Sequence, residues 1–166
     1  MSRRRALMMA GGGGAWKTTP HDLTSFRGDG FSVSQSSDIN GIRVAWRAMD
    51  GGLLEEQGES HTTSDDGNWW RIDFDNPVAI GRVVWQWRLN SDGSVKNESG
   101  DWDKIKLVML QGSNNSEDWT DVQEIEHPGV GEITVEIGDR RAFRSWRLLA
   151  LTYGYLIFGE LEFLYK

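Results

Sequence analysis

The chain contains no cysteine. Disulfides and thiolate zinc sites are therefore excluded, while the compartment stays open, because the cytosol and robust exposed proteins alike do without cysteine. No run approaches about 18 apolar residues, so no membrane-spanning helix is expected. Basic residues are in deficit: 18 Lys and Arg against 25 Asp and Glu leave a formal charge of −7. A general nucleic-acid binder needs a basic face to neutralise phosphates, and this balance argues against one. Proline is scarce, with three residues beside 20 glycines in a chain of 166, a length that suits one domain with room for a small appendage. Against these shortages stands tryptophan, nine of the eighteen aromatic residues. Such large flat side chains build either a heavy core or a stacking surface for a ligand.

Signatures of catalysis are also missing. His21, His61 and His127 are far apart, and no H-E-x-x-H pair, G-x-S-x-G elbow or cysteine nucleophile occurs. The carboxylate pairs Asp65/Asp66, Asp101/Asp103 and Glu117/Asp118 sit in polar turns, where a solvated face explains them. Gly11 to Gly14 lack the following G-K-S/T of a phosphate-binding loop.

The chain opens Ser2-Arg3-Arg4-Arg5, then Ala6-Leu7-Met8-Met9-Ala10 before the glycine run. That apolar stretch is shorter than the roughly 7–15 residues of a signal-peptide core. Residues 1–30 read as an arm, basic and then glycine-rich. It is either a disordered tail or a docking arm that orders against a neighbouring subunit through Arg3, Arg4, Arg5 and Trp16.

From residue 31 onward the apolar pattern has period two. Trp70, Ile72 and Phe74 alternate with Arg71 and Asp73. The same alternation places Val83, Trp85 and Trp87 on one face, then Ile105, Leu107 and Met109, then Ile133, Val135 and Ile137. Trp146, Leu148 and Ala150 follow, and last Leu161 and Phe163. Turn-forming clusters separate the runs, among them Asp65-Asp66-Gly67-Asn68, Asp75-Asn76-Pro77 and Gly112-Ser113-Asn114-Asn115. The one short helical stretch is Val44 to Met49. Many short antiparallel strands without covering helices imply an all-β sandwich or barrel.

Several runs also occur in a recognisable order. Ala45-Trp46-Arg47-Ala48-Met49-Asp50-Gly51, Trp69-Trp70-Arg71-Ile72-Asp73-Phe74, Ile80-Gly81-Arg82-Val83, Gly112 to Thr120, Phe143 to Leu148 and Gly159 to Phe163 together resemble discoidin-like domains. These are the coagulation factor 5/8 type C domains and family 32 carbohydrate-binding modules. The resemblance covers about residues 31–166 and implies a galactose-binding-domain-like jelly-roll β-sandwich, whose relatives bind exposed ligands, most often glycans, with loops at one end. It also implies one structural calcium, for which Asp50 and Glu160 stand at the matching positions; the alternative is that Asp50 caps a turn and Glu160 is a solvent-facing strand residue. Two departures stand out: the segment after Asp50 lacks the family's N-x-x-T-x-W, and Asn115-Ser116 replace the hairpin's Asp-Gly.

The tryptophans then divide. Trp70, Trp85 and Trp146 are in phase with aliphatic neighbours, Trp119 matches a position packed under its hairpin, and Trp46 is placed to plug one end of the sandwich. Trp16, Trp69, Trp87 and Trp102 remain. A sugar site needs an apolar platform beside carboxylate, amide or Arg groups. Trp87 with Arg88 and Asn90, and Trp102 with Asp101 and Asp103, have that composition, and Trp69 follows a turn. Equally, they are rim residues covered by a neighbouring subunit of a homo-oligomer.

The expected role is non-catalytic binding. A free-standing domain of this kind, behind a basic-then-glycine arm and without a signal peptide, is similar to small accessory proteins of phage virions: tail fibres, head fibres and capsid decorations. The arm would hold it to virion proteins, and the sandwich would face host glycans. The alternatives are a purely structural assembly subunit that binds no sugar, and a carbohydrate-binding module detached from a secreted enzyme.

Overall fold

The computed structural model describes residues 15–20, 22–38, 41, 44–51, 60–63, 65–87, 106–128 and 131–166. Twelve strands occur among these residues. They are β1 (Lys17–Thr18), β2 (Arg27–Gly28), β3 (Phe31–Gln35), β4 (Ser60–His61), β5 (Trp69–Val78) and β6 (Ile80–Gln86). There follow β7 (Leu107–Ser113), β8 (Thr120–Glu126), β9 (Glu132–Glu136), β10 (Phe143–Ala150), β11 (Ile157–Phe158) and β12 (Glu160–Tyr165). A 3₁₀ helix, Ala45–Met49, stands where the sequence shows its only helical stretch. A six-stranded sheet, ordered β2-β3-β5-β10-β7-β8, packs on a four-stranded one, ordered β1-β12-β6-β9; β4 and β11 form a small third pair. All pairings are antiparallel. The all-β class implied by the period-two pattern and the galactose-binding-like β-sandwich implied by the resemblance are the fold observed. Among the described residues no helix is long and apolar enough to cross a membrane.

The period-two residues of β5 and β10 enter the core together: Trp70, Ile72, Trp146 and Leu148 are all buried. The indoles of Trp70 and Trp146 have their polar edges satisfied, as burial favours. Trp70 donates from Nε1 to the Ala45 carbonyl at 2.9 Å, and Trp146 donates to that of Val78 at 3.1 Å. Trp70 stacks on Phe163 of the opposite sheet at 5.7 Å, which ties the two layers.

Four expectations from the sequence are corrected. In β7 the inward residues are Val108 and Leu110, both fully buried, while Leu107 and Met109 are half-buried on the outer face. The stretch Leu107-Val108-Met109-Leu110 is apolar on both faces, so its alternation carries no phase. Asp75-Asn76-Pro77 does not reverse the chain; it lies within β5, where the pairing with β10 skips from Asp73 to Val78. That skip is a bulge, which accommodates proline's missing N–H. Trp119 is half-buried on the outer face beneath Arg147, not in the core.

The fourth concerns the arm. The sandwich begins well before residue 31. Lys17 and Thr18 pair with Tyr165 and Leu164, Leu23 is buried in the core, and β2 extends the six-stranded sheet. Buried Thr19 exchanges hydrogen bonds with Phe163, its amide donating to the carbonyl and its hydroxyl accepting from the amide, both at 3.0 Å. Trp16 is likewise engaged within its own sandwich. Its ring occupies the space a Cβ at Gly81 would take, 2.5 Å from that position, and Arg140 and Lys166 lie over it at 5.3 and 4.8 Å. Arg3, Arg4 and Arg5 lie outside the described residues. We expect Gly81→Ala to displace the Trp16 indole and cost about 1–3 kcal/mol through overpacking. The check is a shifted Trp16 indole N–H resonance together with a lowered urea midpoint; an unmoved resonance would contradict this packing.

Candidate functional site

Strand direction gathers one set of connections at one end of the sandwich. The chain leaves β3 there and enters β5, leaves β6 and enters β7, leaves β8 and enters β9, and leaves β10 on the way to β12. The segments 36–41, 60–68, 88–105, 127–131 and 151–159 are all rooted at this loop end. Of the described residues singled out for sugar or calcium, Trp69, Trp87 and Glu160 stand at strand ends here, and Asp50 adjoins Gly51, whose amide bonds Glu160.

A buried amide braces the end. Asn68, 2% exposed, accepts at Oδ1 from the hydroxyls of Ser36 (2.8 Å) and Ser37 (3.3 Å). Its Nδ2 donates to the carbonyls of Thr63 (2.6 Å), Asp65 (3.1 Å) and Gly154 (3.2 Å). One side chain thereby joins three loops, and Gly67, at φ 69°, supplies the left-handed turn that returns the chain to it. In the sequence Asn68 is one residue of a turn cluster; only its long-range partners reveal the role. Tyr153, 62% exposed, and Leu151, 40% exposed, stand on the loop across from it.

The expected ligand residues fare differently. Trp87 is corrected: it is 1% exposed, stacked on Trp85 at 5.9 Å and tilted against His127 at 4.9 Å, and offers no wet platform. Its position after the last residue of β6 keeps it in phase with Trp85 and the core. Arg88, Asn90, Asp101, Trp102 and Asp103 lie outside the described residues. Trp69 opens β5 half-buried on the outer face of the six-stranded sheet, with Arg71 over its ring at 5.5 Å.

Asp50 and Glu160 meet at one corner. Glu160 is buried, at 7% exposure, which removes the solvent-facing alternative. Its Oε2 accepts from the amide of Gly51 at 3.1 Å, and Asp50 faces Arg47 at 3.7 Å. Two hard-oxygen donors at the opening of a loop suit calcium, which would draw its other ligands from carbonyls and water. Among the described residues no third acidic or histidine side chain joins them.

His127, whose role the sequence does not show, is fully buried beneath the same end. Its Nε2 lies 3.2 Å from the Trp85 carbonyl, to which the Nε2–H tautomer donates. Burial pulls its pKa down to about 4; backbone hydrogen bonds with Trp85 and Gly131 oppose this, and the charge of Lys106 adds to it. It is a neutral packing element at physiological pH.

On the outer face of the six-stranded sheet, Arg71 and Arg147 are direct partners across β5 and β10. Arg147 lies over Trp119 at 4.1 Å, and its Nε donates to Gln111 Oε1 at 2.6 Å. Arg71 Nε donates to Asp73 at 2.8 Å. Burial, then the neighbouring Arg71 charge, lower the pKa of Arg147, with Asp121 opposing. The hairpin before β8 explains the Asn115-Ser116 departure. Asn115 Oδ1 accepts from the amides of Glu117 and Asp118 at 3.0 and 2.9 Å, work an aspartate would do, and Ser116 takes the φ of 63° that glycine would favour.

Solved structures share this architecture. A family 32 carbohydrate-binding module of Clostridium perfringens NanJ, solved in complex with galactose, superposes with a TM-score of 0.67 at 16% identity, over 91% of this chain and 99% of that one. The lectin domain of lectinolysin, complexed with Lewis B antigen, gives 0.63 at 22% identity, over 81% and 92%. A fucose-binding module of Streptococcus pneumoniae gives 0.62 at 18%, over 80% and 89%. At such identities the likeness is one of fold. No curated protein matches the chain. Residues 47–148 match the model of the NedA-like, galactose-binding domain, within the F5/8 type C group, and the chain belongs to that family.

Proposed function

We propose that this protein is a non-catalytic glycan-recognition module that reads an exposed sugar at its loop end. The observation that carries this reading is that strand direction roots four connections at one end of the sandwich, where Asn68 ties three described loops together. Fixed loops of varied sequence on a stable scaffold are where binding sites arise. The family and the sugar complexes of its structural neighbours support it. Arg88 and Asn90 are to hydrogen-bond hydroxyls, Trp102 is to carry the apolar face of the ring, and Asp101 and Asp103 are to orient it. Asp50 and Glu160 would hold a calcium ion that stiffens the neighbouring loop.

The setting we propose is the surface of a phage virion, where the basic stretch Arg3-Arg4-Arg5 would meet virion proteins; its support is the architecture of the chain alone. A carbohydrate-binding module that works beside an enzyme accords equally with family and fold.

Titration with galactose, fucose and their oligosaccharides, followed by NMR, tests the reading. We expect binding that Arg88→Ala and Trp102→Ala each weaken about tenfold or more, a loss of at least ~1.4 kcal/mol. Absence of any neutral-sugar signal across a broad glycan array would overturn it.

A further inference from the structure

We infer that the outer face of the six-stranded sheet carries a second site, separate from the loop end, that binds the carboxylate of an acidic sugar between Arg71 and Arg147. The face reads Trp69, Arg71, Arg147, Trp119, two guanidiniums between two indoles. Arg71 and Arg147 face each other across adjacent strands, where opposed Cβ atoms stand about 5 Å apart. Like charges at that spacing repel, and partial burial raises the cost. Nothing in the core requires the pair, since both side chains lie on the solvent face.

Each guanidinium is also held in place. Arg71 rests on Trp69 at 5.5 Å and Arg147 on Trp119 at 4.1 Å. Each is anchored through Nε, to Asp73 and to Gln111 respectively, and Gln111 is itself fixed by donating to Asp121. Among the described residues the Nη groups of both arginines have no hydrogen-bond partner. Two pre-oriented forks with their Nη edges unused match a planar oxyanion, which also relieves the repulsion between them.

Charge decides which oxyanion. Asp73 and Asp121 cancel the two arginines, so the patch is formally neutral on a protein of charge −7. A single carboxylate brings the patch to a formal charge of −1 and a dianionic phosphate to −2, so the monoanion is the better match. Flanking indoles suit the C–H face of a pyranose ring better than an extended peptide backbone. The ligand class is therefore a uronic or sialic acid residue.

The experiment compares digalacturonate, galactose and a hexaglutamate peptide, followed by the Nε–H resonances of Arg71 and Arg147 and the indole N–H resonances of Trp69 and Trp119. Digalacturonate is expected to shift these four and to bind about tenfold or more tighter at this face than galactose. Arg71→Gln should remove the effect, and so should Arg147→Lys, which keeps the charge and loses the fork. Thermal melts verify that both variants fold. Neutral-sugar binding, scored through Arg88→Ala, stays independent, so failure at one site leaves the other readable. The site is overturned if digalacturonate leaves the four resonances unmoved, or if its binding survives both substitutions. Preferential binding of hexaglutamate, or concentration-dependent self-association lost in Arg71→Gln, would also overturn it in favour of a protein contact.

Discussion

Trp87→Ala is expected to destabilise the sandwich by about 3–5 kcal/mol, the cost of deleting a fully buried indole and leaving a cavity. The residue is 1% exposed and packs between Trp85 and His127, which in turn contact each other at 4.8 Å. Trp85 also touches Phe158 at 4.9 Å, so the cavity would open in the aromatic cluster that joins β6 to the β4–β11 pair. Urea unfolding measures it: a lowered midpoint with an unchanged slope marks a loss of stability in a two-state protein. Trp102→Ala, the sugar-platform substitution, is expected to leave that midpoint in place. If Trp87→Ala instead kept full stability and lost sugar binding, the indole would be a ligand platform.

Acidification should strike the same cluster. His127 carries a pKa near 4 in the folded protein against an ordinary value of 6.5. The unfolded chain therefore takes up a proton between those values that the folded protein refuses. Stability from this group is fully present above about pH 6.5 and is lost as the pH falls toward 4, where the penalty reaches about 3 kcal/mol. Carboxylates titrate over part of that window, so the measurement is the difference between the wild-type curve of unfolding free energy against pH and that of His127→Gln. We expect the difference to grow from pH 6.5 to 4; parallel curves would show that His127 is protonated at no cost in the folded state.

Much of the architecture was legible in the residues. Where one face is apolar and the other charged, as in Trp70-Arg71-Ile72-Asp73-Phe74, alternation names the buried face without further information. In Leu107 to Leu110 both faces are apolar, and what sets the phase is tertiary: Gly112 leaves the space that Phe143 fills, 2.2 Å from where a Cβ would sit. Trp16 and Trp119 were misplaced for a related reason. Each packs against a cation distant in sequence, Arg140 and Lys166 for the first and Arg147 for the second. Such contacts leave no periodic trace.

The site divides in the same way. The positions of Asp50 and Glu160 could be read from the family pattern, but the burial of Glu160 and its bond to Gly51 required the fold. Asn68 reads as one more polar residue in a turn until its partners, as many as 86 residues away, are in view. Arg71 and Arg147 read as ordinary solvent-facing residues of two separate strands; their opposition exists only in the register of β5 with β10. By itself, then, the sequence determined the fold class and most of the aromatic core, because a period-two pattern and buried apolar area are local properties summed along the chain, while the family was implied by the order of its motifs. Strand register, the seating of Trp16 and the pairing of the two arginines were decided by the tertiary structure alone, because each depends on which distant residue lies opposite, and nothing local encodes that.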